Sequence, residues 1–158
     1  MTVVSNTSPL NYLVLIELQQ LLPALFNRVL VPEAVLRELR SPAAPAQVGE
    51  WLDTTPDWLE SRVGADIPSE LRQLGPGERE AIVLAESVDD GLVLLDERKA
   101  RGMARQRGLA VTGTLGVLPV DLAAARGLVD LADAFERLAK TNFRGSPRLL
   151  RSLLPKKR

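Results

Sequence analysis

The sequence predicts an α/β fold, a three-layer α/β/α sandwich around a central parallel sheet. Three observations predict it. Short Val- and Leu-rich runs alternate along the chain with longer stretches of helical period. Such alternation argues for a parallel sheet covered by helices on both faces. No internal repeat, linker or low-complexity tract interrupts the 158 residues, so one domain is expected over 1–158, with a basic C-terminal helix and tail from about residue 141.

The elements follow in order. Thr2-Val3-Val4-Ser5 is β-branched and bounded by turn formers, and reads as a buried strand. Ser8-Pro9 supplies an N-cap and a proline for a helix whose apolar face runs from Leu10 to Leu22, ending before Pro23. Arg28–Val31 is a second strand, and Pro32-Glu33 opens a helix to about Leu39. Residues 42–49 read as a loop, Val48–Asp53 as a short helix, and Trp58–Val63 as an edge strand. The turn Gly75-Pro76-Gly77 precedes a helix over Glu78–Ser87. Gly91–Leu95 is a central strand, Asp96–Arg107 a basic helix stopped by Gly108, and Leu109–Val111 another strand. Gly113-Thr114-Leu115-Gly116 turns into a helix to about Arg126. Val129–Lys140 and Arg148–Leu154 complete the helices.

Composition narrows the chemistry. Hydrophobic residues make up 46% and charged residues 25%, which excludes general disorder. With only 4% aromatics, a stacking platform for single-stranded bases is not expected. The chain has neither cysteine nor histidine, which removes thiol nucleophiles, Cys/His zinc sites and imidazole triads. Carboxylates, hydroxyls, Lys, Arg and backbone groups remain, and carboxylates favour hard cations such as Mg²⁺, Mn²⁺ or Ca²⁺. Thr2–Ile16 lacks the basic start of a signal peptide, and no stretch is apolar enough for a membrane span. A cytoplasmic location without membrane contact is therefore expected by default.

Net charge is zero but unevenly spread. Residues 1–95 hold 6 basic and 14 acidic side chains, a balance of −8; residues 96–158 hold 14 and 6, a balance of +8. Such a split fits an acidic site beside a basic surface, although the terminal Pro155-Lys156-Lys157-Arg158 by itself reads rather as a solvated tail.

Individual residues are ambiguous. Asp96 follows the strongest strand, where α/β sites form, yet an Asp there also caps a helix. Glu78 stands in a helix first turn, where the dipole alone favours a carboxylate. Glu38 is the odd one, near the end of its helix, where the dipole disfavours it. Asn6, Thr7 and Ser8 suit a metal site, with the Asn6 amide as a neutral ligand, and equally suit a turn. The two glycine turns before helices match neither nucleotide-binding pattern, so a nucleotide pocket is a minor alternative. Arg98, Lys99, Arg101 and Arg105, with Arg107, form a cationic helix starting beside Asp96, placed to contact a nucleic-acid backbone.

Four segments together resemble one family. They are Val3-Val4-Ser5-Asn6-Thr7-Ser8-Pro9-Leu10, Leu74-Gly75-Pro76-Gly77-Glu78-Arg79-Glu80-Ala81-Ile82, Leu94-Leu95-Asp96-Glu97-Arg98, and Val111-Thr112-Gly113-Thr114-Leu115-Gly116-Val117-Leu118. With the closing Asn142-Phe143-Arg144 they resemble a poorly characterised prokaryotic subgroup of PIN domains related to VapC-type toxins. The resemblance implies an acidic cluster that binds Mg²⁺ or Mn²⁺ and cuts RNA. It assigns the four acidic positions, in order, to Asn6, Glu38, Glu78 and Asp96, with Ser8 and Thr114 in support. Glu38, Glu78 and Asp96 are the implied catalytic residues. Asn6 departs from the pattern by removing one negative charge. The resemblance further implies a small antitoxin partner and a homodimer. The alternative expectation is a weak or inactive domain that binds RNA or protein.

Overall fold

A computed structural model of the chain describes residues 2–54, 56–63, 66–117 and 130–141. The strands are β1 (Thr2–Ser5), β2 (Val29–Pro32), β3 (Leu59–Arg62), β4 (Gly91–Leu94) and β5 (Ala110–Thr112). The helices are α1 (Thr7–Leu15), α2 (Leu21–Phe26), α3 (Glu33–Leu39), α4 (Ala46–Asp53), α5 (Pro76–Glu86), α6 (Arg98–Gln106), α7 (Thr114–Val117) and α8 (Leu131–Ala139).

All strand pairs are parallel, in the order β3-β2-β1-β4-β5. The expected edge strand is indeed β3 at one margin. Because the side-chain period of a strand is two, the three central strands each feed two cores. Val3, Val29, Val31, Leu92 and Leu94 enter one core with side chains of α1, α4 and α8. Val4, Leu30, Val93 and Leu95 enter the other with α5 and α6. That double covering is the predicted three-layer sandwich. Truncating a fully buried leucine such as Leu13 or Leu94 costs about 2–5 kcal/mol.

The chain leaves β1 toward β2 and β3, then returns to place β4 on the other side of β1. The crevice beyond the carboxyl ends of β1 and β4 is thus the topological switch point. Asn6 stands at its mouth, its N–H donating to the Leu94 carbonyl at 3.0 Å.

Three local expectations are corrected. The first helix does not run to Pro23. It ends at Leu15, Glu17 turns left-handed at φ 62°, and α2 begins at Leu21. Pro23 lies in the first turn of α2, where its missing N–H breaks no bond. Arg137 of α8 donates to the Ile16 carbonyl at 3.1 Å, satisfying the exposed end of α1. Second, α1 starts at Thr7 with Asn6 in the cap position, so Ser8 lies inside the first turn. Third, α6 begins at Arg98 with Glu97 in the cap position, so Asp96 does not cap it. Gly108 does terminate that helix, at φ 81°. The expected continuation of α7 to Arg126 and the helix Arg148–Leu154 with its basic tail lie outside the described residues. Among the described residues no helix is long and apolar enough to cross a membrane.

Candidate active site

The Gly75-Pro76-Gly77 turn delivers the start of α5 to the switch point. Gly75 takes extended backbone, Pro76 fixes the first helical residue, and the Glu78 carboxylate reaches back to accept the Gly75 N–H at 3.3 Å. Gly77 is required by space. A β-carbon there would lie 2.7 Å from Asn6 Oδ1 and 3.0 Å from Glu38 Oε1.

Glu38 now has its explanation. It sits near the C-terminus of α3, but its carboxylate meets the N-termini of two other helices. The Thr7 hydroxyl, first residue of α1, donates to Oε2, and the Gly77 N–H of α5 donates to Oε1 at 3.3 Å. Two positive helix ends replace the favourable position its own helix denies it. Glu80, one turn inside α5, ties the same helices together by accepting from the Ala34 N–H at 3.3 Å.

A pocket of about 270 Å³ opens here, lined by Asn6, Thr7, Ser8, Glu38, Glu78 and Glu97, with Gly75 and Gly77 at its wall. Asn6 is 7% exposed and its Oδ1 has no hydrogen-bond partner among the described residues. Burial pushes the Glu78 carboxyl up to about 7, helped by a hydrogen bond and charge from Glu97 and by the Glu38 charge. The pocket therefore concentrates negative charge around an unpartnered oxygen. A larger depression of about 580 Å³, beside Thr2 and Arg28 at the start of β1, has Asp89 as its single acidic lining residue and offers no comparable chemistry.

Sequence reasoning missed Glu97. Of the doublet Asp96-Glu97, it is Glu97 that lines the pocket. Asp96 turns toward β5 and α7, accepting the Thr114 N–H at 2.7 Å and the Thr114 hydroxyl at 2.8 Å. Burial raises the Asp96 pKa, while these two hydrogen bonds and the Arg101 charge oppose the rise. Gly113 permits the approach, since a β-carbon there would lie 2.7 Å from Asp96 Oδ1. Thr114, fully buried, thus supports Asp96.

The cationic helix is split. Arg98 and Lys99 are exposed next to Glu97, and Arg101 is half-buried near Asp96 with its Nε unpartnered. Arg105 is exposed, about 10 Å along the axis from Arg98 at 1.5 Å per residue, and so farther from the pocket.

The donors suit a hard divalent cation: carboxylates, one amide oxygen and two hydroxyls. The orphaned Asn6 oxygen and the mutual repulsion around Glu78 are both what a cation would relieve. Among the described residues, however, no three acidic groups are arranged to hold a metal ion as they stand. The donor chemistry fits; gathering the donors would require side-chain rotation.

Comparison with known proteins agrees with this picture. A family model, DUF3368, described as a PIN domain, matches residues 2–157. The fold is similar to the solved structure of a PilT N-terminus domain protein, SSO1118, from the hyperthermophilic archaeon Sulfolobus solfataricus P2. The two share 18% identity at a TM-score of 0.55, covering 75% of this chain and 91% of that one. At that identity the likeness speaks for fold alone. No curated protein matches. The family match spans both glycine turns, the β4 acidic doublet and the first strand with Asn6, and on that ground the chain belongs to the PIN-domain family.

Proposed function

We propose that the chain is a divalent-metal-dependent ribonuclease. PIN domains are in general a nuclease fold. The observation that carries this reading is the convergence of Asn6, Glu38, Glu78 and Glu97 on one pocket at the switch point. Asn6, Glu38, Glu78 and Glu97 would hold Mg²⁺ or Mn²⁺, with Asp96, held by Thr114, as the remaining acidic member. When bound, such an ion neutralises phosphate charge and acidifies water for attack at phosphorus.

The chain's own groups do the rest. The N-termini of α1 and α5 point positive ends at the pocket, which favours a phosphate there. Burial and the neighbouring Glu97 and Glu38 raise the Glu78 carboxyl to about 7, so binding a cation there would release a proton near neutral pH. Arg98 and Lys99 flank Glu97 and meet the RNA backbone, with Arg101 and Arg105 following along α6.

The test is cleavage of RNA with Mg²⁺ or Mn²⁺, with EDTA, and with Glu78→Gln, Glu97→Gln and Asp96→Asn. The expected result is metal-dependent cleavage lost in Glu78→Gln. Cleavage that survives EDTA and all three substitutions overturns the reading. One observation favours a second reading, an RNA- or protein-binding module: Asn6 brings no charge to the first acidic position. Full RNA binding without cleavage in either metal supports it. A role as the toxin of a toxin–antitoxin pair and as a homodimer rests on the sequence resemblance, and a cytoplasmic location is the default expectation from the sequence. A small antitoxin gene beside this one, and a dimer mass in solution, are its tests.

A further inference from the structure

The acidic half of the chain holds six basic residues, and three of them are neutralised. Arg28 and Arg62 pair with Glu60 at 3.0 and 3.5 Å, and Arg37 approaches Glu80 at 4.0 Å. With a balance of −8 over residues 1–95, carboxylate partners are abundant. Arg40, Arg72 and Arg79 nevertheless make no ion pair among the described residues. Of these, Arg72 and Arg79 converge on one open depression of about 510 Å³, which they line with Asp66 and Ile67.

The location of that depression gives it meaning. Arg79 follows Glu78 in the first turns of α5, and its Nη1 donates to the Leu74 carbonyl at 3.5 Å. Glu78 faces the carboxylate pocket on one side of the Leu74–Gly77 turn, and Arg79 lies back along that turn toward Arg72. The carbonyl contact uses one N–H and leaves the other guanidinium donors available. Asp66 is exposed and makes no ion pair with either guanidinium among the described residues. Ile67 adds an apolar wall beside the Asp66 carboxylate.

We propose that Arg72 and Arg79 form a phosphate-binding subsite for single-stranded RNA, joined to the carboxylate pocket by the Leu74–Gly77 turn. The strand would then meet a second cationic contact besides that of Arg98 and Lys99. This rests on the ribonuclease reading. It adds that the backbone is also held by the acidic half of the chain, where charge counting alone places no contact.

The experiment is fluorescence anisotropy of the full chain with a short fluorescein-labelled single-stranded RNA of mixed sequence, in EDTA, over a range of salt. Arg72→Gln/Arg79→Gln is expected to weaken binding and to lower the log–log salt slope by about 1.4, at about 0.7 per phosphate contact. Arg72→Lys/Arg79→Lys, which keeps both charges, is expected to restore most of the slope. In cleavage assays the Gln pair raises KM and leaves kcat unchanged. A salt slope and KM equal to those of the unsubstituted chain overturn the subsite. If RNA is cut normally in that case, the ribonuclease reading stands and only the subsite falls. If the unsubstituted chain neither binds nor cuts RNA, both fall.

Discussion

Glu78 is where stability and chemistry oppose each other. Its pKa in the folded chain is about 7, against an ordinary value of 4.5. Between those limits the folded state keeps a proton that the unfolded state has released. Stability therefore falls as pH rises from about 4.5 to about 7. Glu78→Gln is expected to stabilise the metal-free protein at pH 8 and to leave it unchanged near pH 4. Solvent screening of this half-exposed group reduces the gain to on the order of 1 kcal/mol. Thermal melts at the two pH values check it, and equal shifts at both would contradict an origin in the Glu78 proton. At Gly77, an alanine would press on Asn6 Oδ1 and the Glu38 carboxylate. Gly77→Ala is expected to cost about 1–3 kcal/mol in urea titration and to suppress cleavage.

At the scale of elements, the joints matter more than the elements themselves. Thr114→Val removes the hydroxyl bond to Asp96 and leaves a buried carboxylate short of one donor, with only the backbone N–H remaining. The expected cost is about 1–3 kcal/mol, read by chemical denaturation. The α1–α2 joint offers the opposite result. Glu17 is an exposed side chain at φ 62°, a conformation that strains any residue with a β-carbon. Glu17→Gly is expected to raise stability by up to about 1 kcal/mol despite loss of its exposed 3.7 Å pair with Arg137.

The same joints mark the limit of what could be read from residues alone. Strands and the covering of the sheet on both faces were legible because each depends on neighbours a few positions away, whereas the first residues of α1 and α6 were not. The break at Glu17 was not, because no glycine or asparagine announces it, and Pro23 in a first turn looks the same as Pro23 after a helix end. Glu38 was legible as an anomaly, a carboxylate at the wrong helix end, without its cause, since Thr7 and Gly77 are distant in sequence. In the Asp96-Glu97 doublet either acid could have faced the pocket. The choice follows from the backbone path after β4, which tertiary contact with Thr114 decides. The doublet itself was the one available signal for Glu97.

At the scale of the molecule, folding and cation binding are linked. A divalent ion that binds only the folded chain stabilises it by about 2.7 kcal/mol at a hundred times its Kd. Mn²⁺ at pH 8 is therefore expected to raise Tm of the unsubstituted chain and to leave Glu78→Gln/Glu97→Gln unchanged. The gain should fade below about pH 7 as Glu78 takes up its proton. An equal rise in the double variant would place the ion elsewhere.

The bonds that Glu38 makes to Thr7 and Gly77 join residues 31 and 39 positions apart. Nothing shorter than the stretch from the first strand through the acidic doublet can assemble the pocket. A nascent copy that has not yet reached the acidic doublet therefore lacks the pocket. On the ribonuclease reading, cleavage begins only after the chain through Glu97 has folded.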